Sequence, residues 1–260
     1  MPAPRTRGLL IVNADDLGLT ERDTDATLRC LDDGSVTSAT AMVWMRDSER
    51  AAALARAAAA PVGLHLNLVE PYTSGGVPTP VAERQRRIAA RLRDATAAGH
   101  LYHPGWRTDV ELCVADQMRR FVELYGRPPT HFDGHRHMHL VANALLARPL
   151  RGAGLRRCRR PVNRTAAESR PGRRAARSLL AGAMRAGGYR TTRRCVSIRA
   201  LAPELGGAGI EAGLSAADGG SLEVMVHPGW HDELAVLRSP AWRRAVASHR
   251  VGSFADLASV

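Results

Sequence analysis

Leu9-Leu10-Ile11-Val12-Asn13-Ala14-Asp15-Asp16-Leu17-Gly18 begins as an apolar run without polar alternation and is cut short by two adjacent acids. Four consecutive aliphatic side chains leave no face for water, so the run predicts a strand buried on both sides, the kind found in parallel sheets covered by helices. The two carboxylates then stand where that strand stops.

Outward from this point, helix and strand signals alternate. Residues 21–33 read as a helix closed by Gly34, 36–43 as a Thr- and Val-rich strand, and 48–60 as an Ala-rich helix stopped by Pro61. A third strand, 62–68, carries His65 near its end. Residues 69–80, with three prolines, two adjacent glycines and Tyr72, read as a loop placed to bind substrate. Helices follow over 81–98 and 109–125, the second ended by Gly126 and Pro128-Pro129. Residues 130–135 read as a strand with Asp133 and His135 on one face by period two, and 140–150 as a helix. The Arg-rich stretch 151–177 has no clear period and reads as an insertion or an anion-binding edge. A helix over 175–186, a strand over 194–198, a last strand over 221–226 and a closing helix over 240–248 complete the chain. His103-Pro104-Gly105-Trp106 echoes His227-Pro228-Gly229-Trp230, too short an echo to count as a repeat.

This order predicts an α/β fold with mostly parallel strands, a (β/α) barrel or a distorted relative, forming one domain over 1–260. Asp15 and Asp16, His65, Asp133 and His135, and His227 all fall toward the C-terminal ends of different strands. In barrel enzymes that rim gathers the catalytic residues.

Composition narrows the class. All 37 basic residues are arginine and the formal net charge is +12, yet aromatic residues make up only 4%, too few for base-stacking platforms, so no nucleic-acid partner is expected. The four widely spaced cysteines, without a CxxC pair, read as reduced thiols. No apolar run reaches membrane-spanning length, and the chain is read as cytoplasmic, with self-association left open.

The stretch Thr130-His131-Phe132-Asp133-Gly134-His135-Arg136-His137-Met138-His139-Leu140 holds four of the ten histidines. Imidazole both ligates metals and transfers protons near neutral pH. One carboxylate with two imidazoles makes an open metal site that acidifies water and polarises a carbonyl, and a second adjacent carboxylate would serve as general base. His227, on another strand, would protonate a leaving amine, so hydrolysis of an amide or ester follows. The same donors describe a metal-dependent phosphoesterase or a two-His, one-carboxylate oxygenase, and a non-enzymatic Arg-rich binding protein is the bland alternative.

The segments 9–16, Gly63-Leu64-His65, 121–139, Ser221 to Pro228 and Arg250-Val251-Gly252-Ser253-Phe254, in this order, resemble the YdjC-like carbohydrate deacetylases, of the chito-oligosaccharide and hopanoid-associated types. The resemblance implies a barrel-like fold and metal-dependent removal of N-acetyl groups from an N-acetylated amino sugar, with metal-bound water attacking the acetamide. It further implies Asp16, His65 and His135 as ligands of one divalent ion, Asp15 as base and His227 as acid. Magnesium is the ion the resemblance implies, while two imidazole ligands suit zinc or another transition metal better. His137 and His139 are placed in the wall of the site, Asp133 behind a ligand imidazole, and His131 in a structural role. Leu17 stands where the family usually has Phe, and the 69–80 and 151–177 segments depart from the chito-oligosaccharide enzymes, which bears on the substrate.

Overall fold

The structure, a computed structural model, describes residues 8–93, 101–163, 171–206, 209–217 and 219–257. Its strands are β1 (Leu9–Leu17), β2 (Ser38–Ala41), β3 (Val62–Leu66), β4 (Phe132–Gly134), β5 (Arg194–Ser197), β6 (Ser221–Val226) and β7 (Arg250–Val251). The helices are α1 (Glu21–Asp32), α2 (Ser48–Ala57), α3 (Thr79–Arg93), α4 (Arg107–Tyr125), α5 (Ala142–Leu145), α6 (Arg148–Gly152), α7 (Pro171–Ala186), α8 (Ile210–Leu214), α9 (His231–Leu237) and α10 (Pro240–Ala247). Strand order is β4-β3-β2-β1-β6-β5, with β7 also on β1. The α/β alternation and the parallel pairings described below bear out the expected fold class. No helix among the described residues is long and apolar enough to cross a membrane.

Two compact units are distinguishable, 1–15 with 25–39 and 157–260, and 16–24 with 40–156, the division running through β1 and β2. In the first, β1 pairs parallel with β6 from Leu9↔Ser221 to Ala14↔Val226, and its first two residues also pair with β7. Every residue of β1 is buried, as four successive aliphatic side chains require. β5 pairs parallel with β6 from Arg194↔Leu222 to Ser197↔Met225. Trp242 of α10 is fully buried, and its indole N–H donates to the Ser35 carbonyl at 3.1 Å.

In the second unit β3 and β4 pair parallel, setting His65 beside Asp133. Gly63 is needed here: a Cβ on it would lie 2.5 Å from the His131 ring. His131, fully buried and 2.9 Å from the Thr130 hydroxyl, is the structural residue expected of it. α4 packs on α2 and α3 and stops at Gly126, whose φ of 67° is the left-handed cap that glycine adopts without strain.

Several expectations are corrected. β6 is not the last strand, because the two-residue β7 follows; so short a strand has no readable period. α9, directly after His227-Pro228-Gly229-Trp230, is a helix that the sequence reading passed over. The single helix expected over 140–150 is two, broken ahead of Pro149, whose ring cannot continue a helix interior. β4 ends at Gly134, so His135 opens a 3-10 turn in which Arg136 and His137 have φ of 51° and 61°. The end of the 81–98 helix and residues 164–170 of the Arg-rich stretch lie outside the described residues.

Candidate active site

In the second unit three side chains meet at one carboxylate. Asp16 Oδ1 lies 3.2 Å from His65 Nε2 and 2.9 Å from His135 Nδ1. Asp16 and His65 are buried and His135 is partly exposed, which leaves one side of the cluster reachable. Burial alone would raise the Asp16 pKa. Hydrogen bonds and charge from His135 and His65 outweigh it and hold the carboxyl well below the ordinary carboxylate range. Its φ of 65° is uncommon for a non-glycine residue and costs on the order of 1 kcal/mol, the kind of strain that collects at functional sites.

Behind His65 stands Asp133, fully buried, with Oδ1 at 2.7 Å from His65 Nδ1 and Oδ2 accepting from the Thr40 hydroxyl at 3.0 Å. With Nδ1 held by Asp133, His65 faces Asp16 through Nε2, which either carries a second proton and donates to Asp16 or offers a lone pair to a cation between them. A lone pair facing a carboxylate oxygen at 3.2 Å is repulsive unless a cation or a second proton lies between them. The donor atoms also have suitable spacing, since ligand bonds of about 2.1 Å give donor separations of roughly 3.0 to 3.4 Å around a six- or four-coordinate ion. Asp16, His65 and His135 therefore form a donor set whose chemistry, and whose separations from Asp16 Oδ1, fit a divalent ion.

The loop after β3 adds Glu70, whose carboxylate lies 3.9 Å from His135 Nε2 and 3.2 Å from Arg136. Its backbone is pinned. The Glu70 carbonyl accepts from Asn67 Nδ2 at 2.7 Å and Gln85 Nε2 at 2.8 Å, while the Asn67 N–H donates to Gln117 at 2.8 Å. His139 is fully buried, edge-on to Phe132 with ring centroids 6.4 Å apart, a packing residue beside the cluster.

In the first unit, Asp15 is bound by Arg159, which donates from Nη1 to Oδ2 and from Nη2 to Oδ1, both at 2.6 Å. Arg159 Nε also donates to Glu223 Oε1 at 2.5 Å, and the Asn13 amide reaches Asp15 Oδ1 at 3.1 Å. Arg159 and Glu223 are completely buried. A forked guanidinium balances a carboxylate's charge and fixes its plane. His227 in turn is fastened to Glu233 of α9: its N–H donates to Oε2 at 2.7 Å and its Nδ1 lies 3.4 Å from the same oxygen. The ring stacks on Trp230 at 4.2 Å and 9°, and Arg199 Nε holds the other Glu233 oxygen at 3.1 Å.

The structure thus brings Asp16, His65 and His135 together and places Asp15 and His227 each on a buried, charged partner. Sequence reading missed Thr40, Glu70, Arg159, Glu223 and Glu233. Glu223 left a signal, a lone acid inside the apolar run Ser221-Leu222-Glu223-Val224-Met225-Val226. Arg159 left none, being one arginine among many.

Comparison with known proteins extends the picture to the whole chain. A family model described as YdjC-like protein matches residues 9–248. A chitooligosaccharide deacetylase from Klebsiella pneumoniae (strain 342) is 33% identical, the match covering 96% of this chain and 99% of that one. A carbohydrate deacetylase from Mus musculus is 35% identical over 63% of this chain, which spans about half (53%) of that relative's length. A solved structure from Enterococcus faecalis V583, named for cellobiose-phosphate cleavage, superposes with a TM-score of 0.69 at 22% identity over 98% of this chain and all of that one, a likeness of fold. The family match runs from the first residue of β1 to just beyond α10, and so includes every strand end that carries Asp or His: the chain belongs to the YdjC-like protein family.

Proposed function

We propose that the chain is a carbohydrate N-deacetylase that hydrolyses the acetamide of an N-acetylated amino sugar, with Asp16, His65 and His135 holding one divalent ion. The observation that carries this reading is the His65 imidazole, committed through Nδ1 to Asp133 and presenting Nε2 to Asp16. Relatives named chitooligosaccharide and carbohydrate deacetylase support the substrate class. Two imidazole nitrogens favour a transition ion such as zinc over magnesium.

When bound, such an ion acidifies water and polarises the amide carbonyl. The chain's own residues divide the proton work. Asp15, oriented by Arg159, accepts the proton that water loses as its oxygen bonds to the acetyl carbon. His227, steadied by Glu233 and Trp230, gives a proton to the nitrogen as the C–N bond breaks. Acetate and a free amino sugar result. Four buried free thiols support a reducing compartment, the cytoplasm.

Acetate release from N-acetylglucosamine oligomers and glycoconjugates, with metal content measured on the same samples, tests the reading. Turnover should follow metal occupancy and fall at least about a hundredfold in Asp15→Asn. Full turnover in that variant removes Asp15 as base. Turnover that requires an oxo-acid cosubstrate, or phosphate release without acetate, replaces the deacetylase reading itself.

A further inference from the structure

A cavity in the first unit lies at the opposite end of β1 from Asp15, about 20 Å away at 3.3 Å per residue. It has a volume of about 530 Å³ and is lined where parallel strands begin, by Leu9 of β1, Ser221 of β6, Arg250 of β7 and Arg193 just ahead of β5. Arg160 and Arg185 bring the arginines of the lining to four. Asp256 is the one acid in the lining, and its carboxylate already accepts from the Ser253 N–H at 2.8 Å and hydroxyl at 3.2 Å.

The arginines are not there to pair with protein carboxylates. Among the described residues none of the four belongs to an ion pair. Arg160 is only 8% exposed, donates from Nη1 to the Arg193 carbonyl, and leaves Nε buried without a hydrogen-bond acceptor. Thr192, fully buried at the same cavity, has a hydroxyl without a partner. Arg193 lies across Gly220, where a Cβ would come within 2.8 Å of its side chain, and donates to the Gly219 carbonyl at 3.1 Å. A glycine therefore makes room for one of the cations. Burial, and the neighbouring charge of Arg185, pull the Arg160 pKa below its ordinary value, the sign of a cation without its counter-ion.

Buried donors without acceptors are rare, and a buried guanidinium without an anion is costly. Four arginines, three hydroxyl side chains (Thr191, Thr192 and Ser221) and a single acid in one lining match an oxyanion of high charge. We propose that this cavity is a binding site for a phosphate-bearing small molecule, a phosphomonoester or diphosphate, separate from the deacetylase site. The cavity is concave and one of its cations, Arg160, is buried, which suits a compact phosphate group better than the continuous basic stripe a nucleic-acid backbone needs.

Titration calorimetry of the full chain, stripped of metal and held in 150 mM NaCl, tests this with inorganic phosphate and pyrophosphate as probes. Saturable binding at one site per chain is expected, tighter for pyrophosphate. Arg193→Ala and Arg250→Ala, both at exposed side chains, should each weaken it about tenfold or more, since each removes a charge-assisted hydrogen bond, and Arg160→Gln should abolish it. If Arg160→Gln fails to fold, the two exposed variants carry the test. Acetate release in Arg250→Ala should equal that of the parent, so failure of this proposal is distinct from failure of the deacetylase reading. Unsaturable heats, or a pyrophosphate affinity unchanged in both exposed variants, overturn the proposal. So does tighter binding of a single-stranded oligonucleotide that displaces pyrophosphate, which assigns the arginines to a polymer.

Discussion

Arg159→Met should destabilise the fold by several kcal/mol, and the size of the loss follows from its partners. The guanidinium is completely buried and donates to both oxygens of Asp15 and to Glu223. Methionine has a similar length, so the packing loss is small, and the deficit is electrostatic. Removing one member of a buried ion pair costs roughly 3 to 5 kcal/mol, because the other charge stays behind unpaired. An upper bound exists, since a stranded carboxylate can instead take up a proton. At pH 7 and a reference pKa near 4 that costs about 4 kcal/mol per group. Two groups are stranded here, so a loss of about 4 to 8 kcal/mol is expected, comparable to the whole stability of many domains. Urea unfolding followed by far-UV circular dichroism reads it. Arg159→Met with Glu223→Gln should recover about half of the loss, because only Asp15 is then left without its cation. Arg159→Lys should fall in between, as an ammonium keeps the charge but cannot present a fork to Asp15 while reaching Glu223. A loss below about 1 kcal/mol in Arg159→Met, or a double variant no better than the single one, would refute the view that this cluster is a buried charge balance.

Three further outcomes follow from the site and its frame. Asp133→Asn should weaken metal binding about 10- to 100-fold, as expected when a ligand imidazole loses its carboxylate partner, with turnover restored by excess metal; competition with a chromophoric chelator measures the first effect. Gly63→Ala drives a methyl group into the His131 ring and should cost about 1 to 3 kcal/mol, read as a lowered melting temperature. All four cysteines are buried and burial pushes the Cys113 thiol up to about 11, so a thiol reagent at pH 8 should modify none in the native protein and four after denaturation.

The strand ends were legible because a His or Asp inside an apolar run conflicts with its surroundings. His65 sits within Val62–Leu66, and Asp15 and Asp16 follow the aliphatic run that opens β1. What periodicity could not supply was the backbone turn after β4. Period two extends Asp133 to His135 along one face, yet the chain leaves the strand at Gly134, where a Cβ would meet the His139 N–H at 2.8 Å. His135 reaches Asp16 from a turn, and His139 folds back into the packing. Arg159 was illegible for another reason. Burial of one arginine among many is decided by the acids it meets, Asp15 and Glu223, which lie 144 and 64 residues away. The His-Pro-Gly-Trp echo, by contrast, carried more local structure than four letters promise. In both copies the Trp N–H donates to the His carbonyl, at 3.0 and 2.9 Å, and the rings stack at 4.1 and 4.2 Å.

The Asp15-Asp16 pair shows how two identical neighbours acquire different chemistry. Successive side chains of a strand point to opposite faces, so adjacent carboxylates on a regular strand cannot both serve one ion. Asp15 obeys the alternation and is taken up by Arg159, its charge balanced and its oxygens fixed. Asp16 departs from it: its φ of 65° turns the chain, with the Leu19 N–H closing on its carbonyl at 3.0 Å, and it meets two imidazoles. Aspartate tolerates the left-handed region better than most residues, because its short side chain can hydrogen-bond locally. A carboxylate at this position therefore answers two demands at once, a negative charge for His65 and His135 and a residue able to stand at the turn. Leucine or valine would fail both, and glycine would meet only the second. That double requirement accounts for Asp16 at the turn, while Asp15 beside it is held by Arg159.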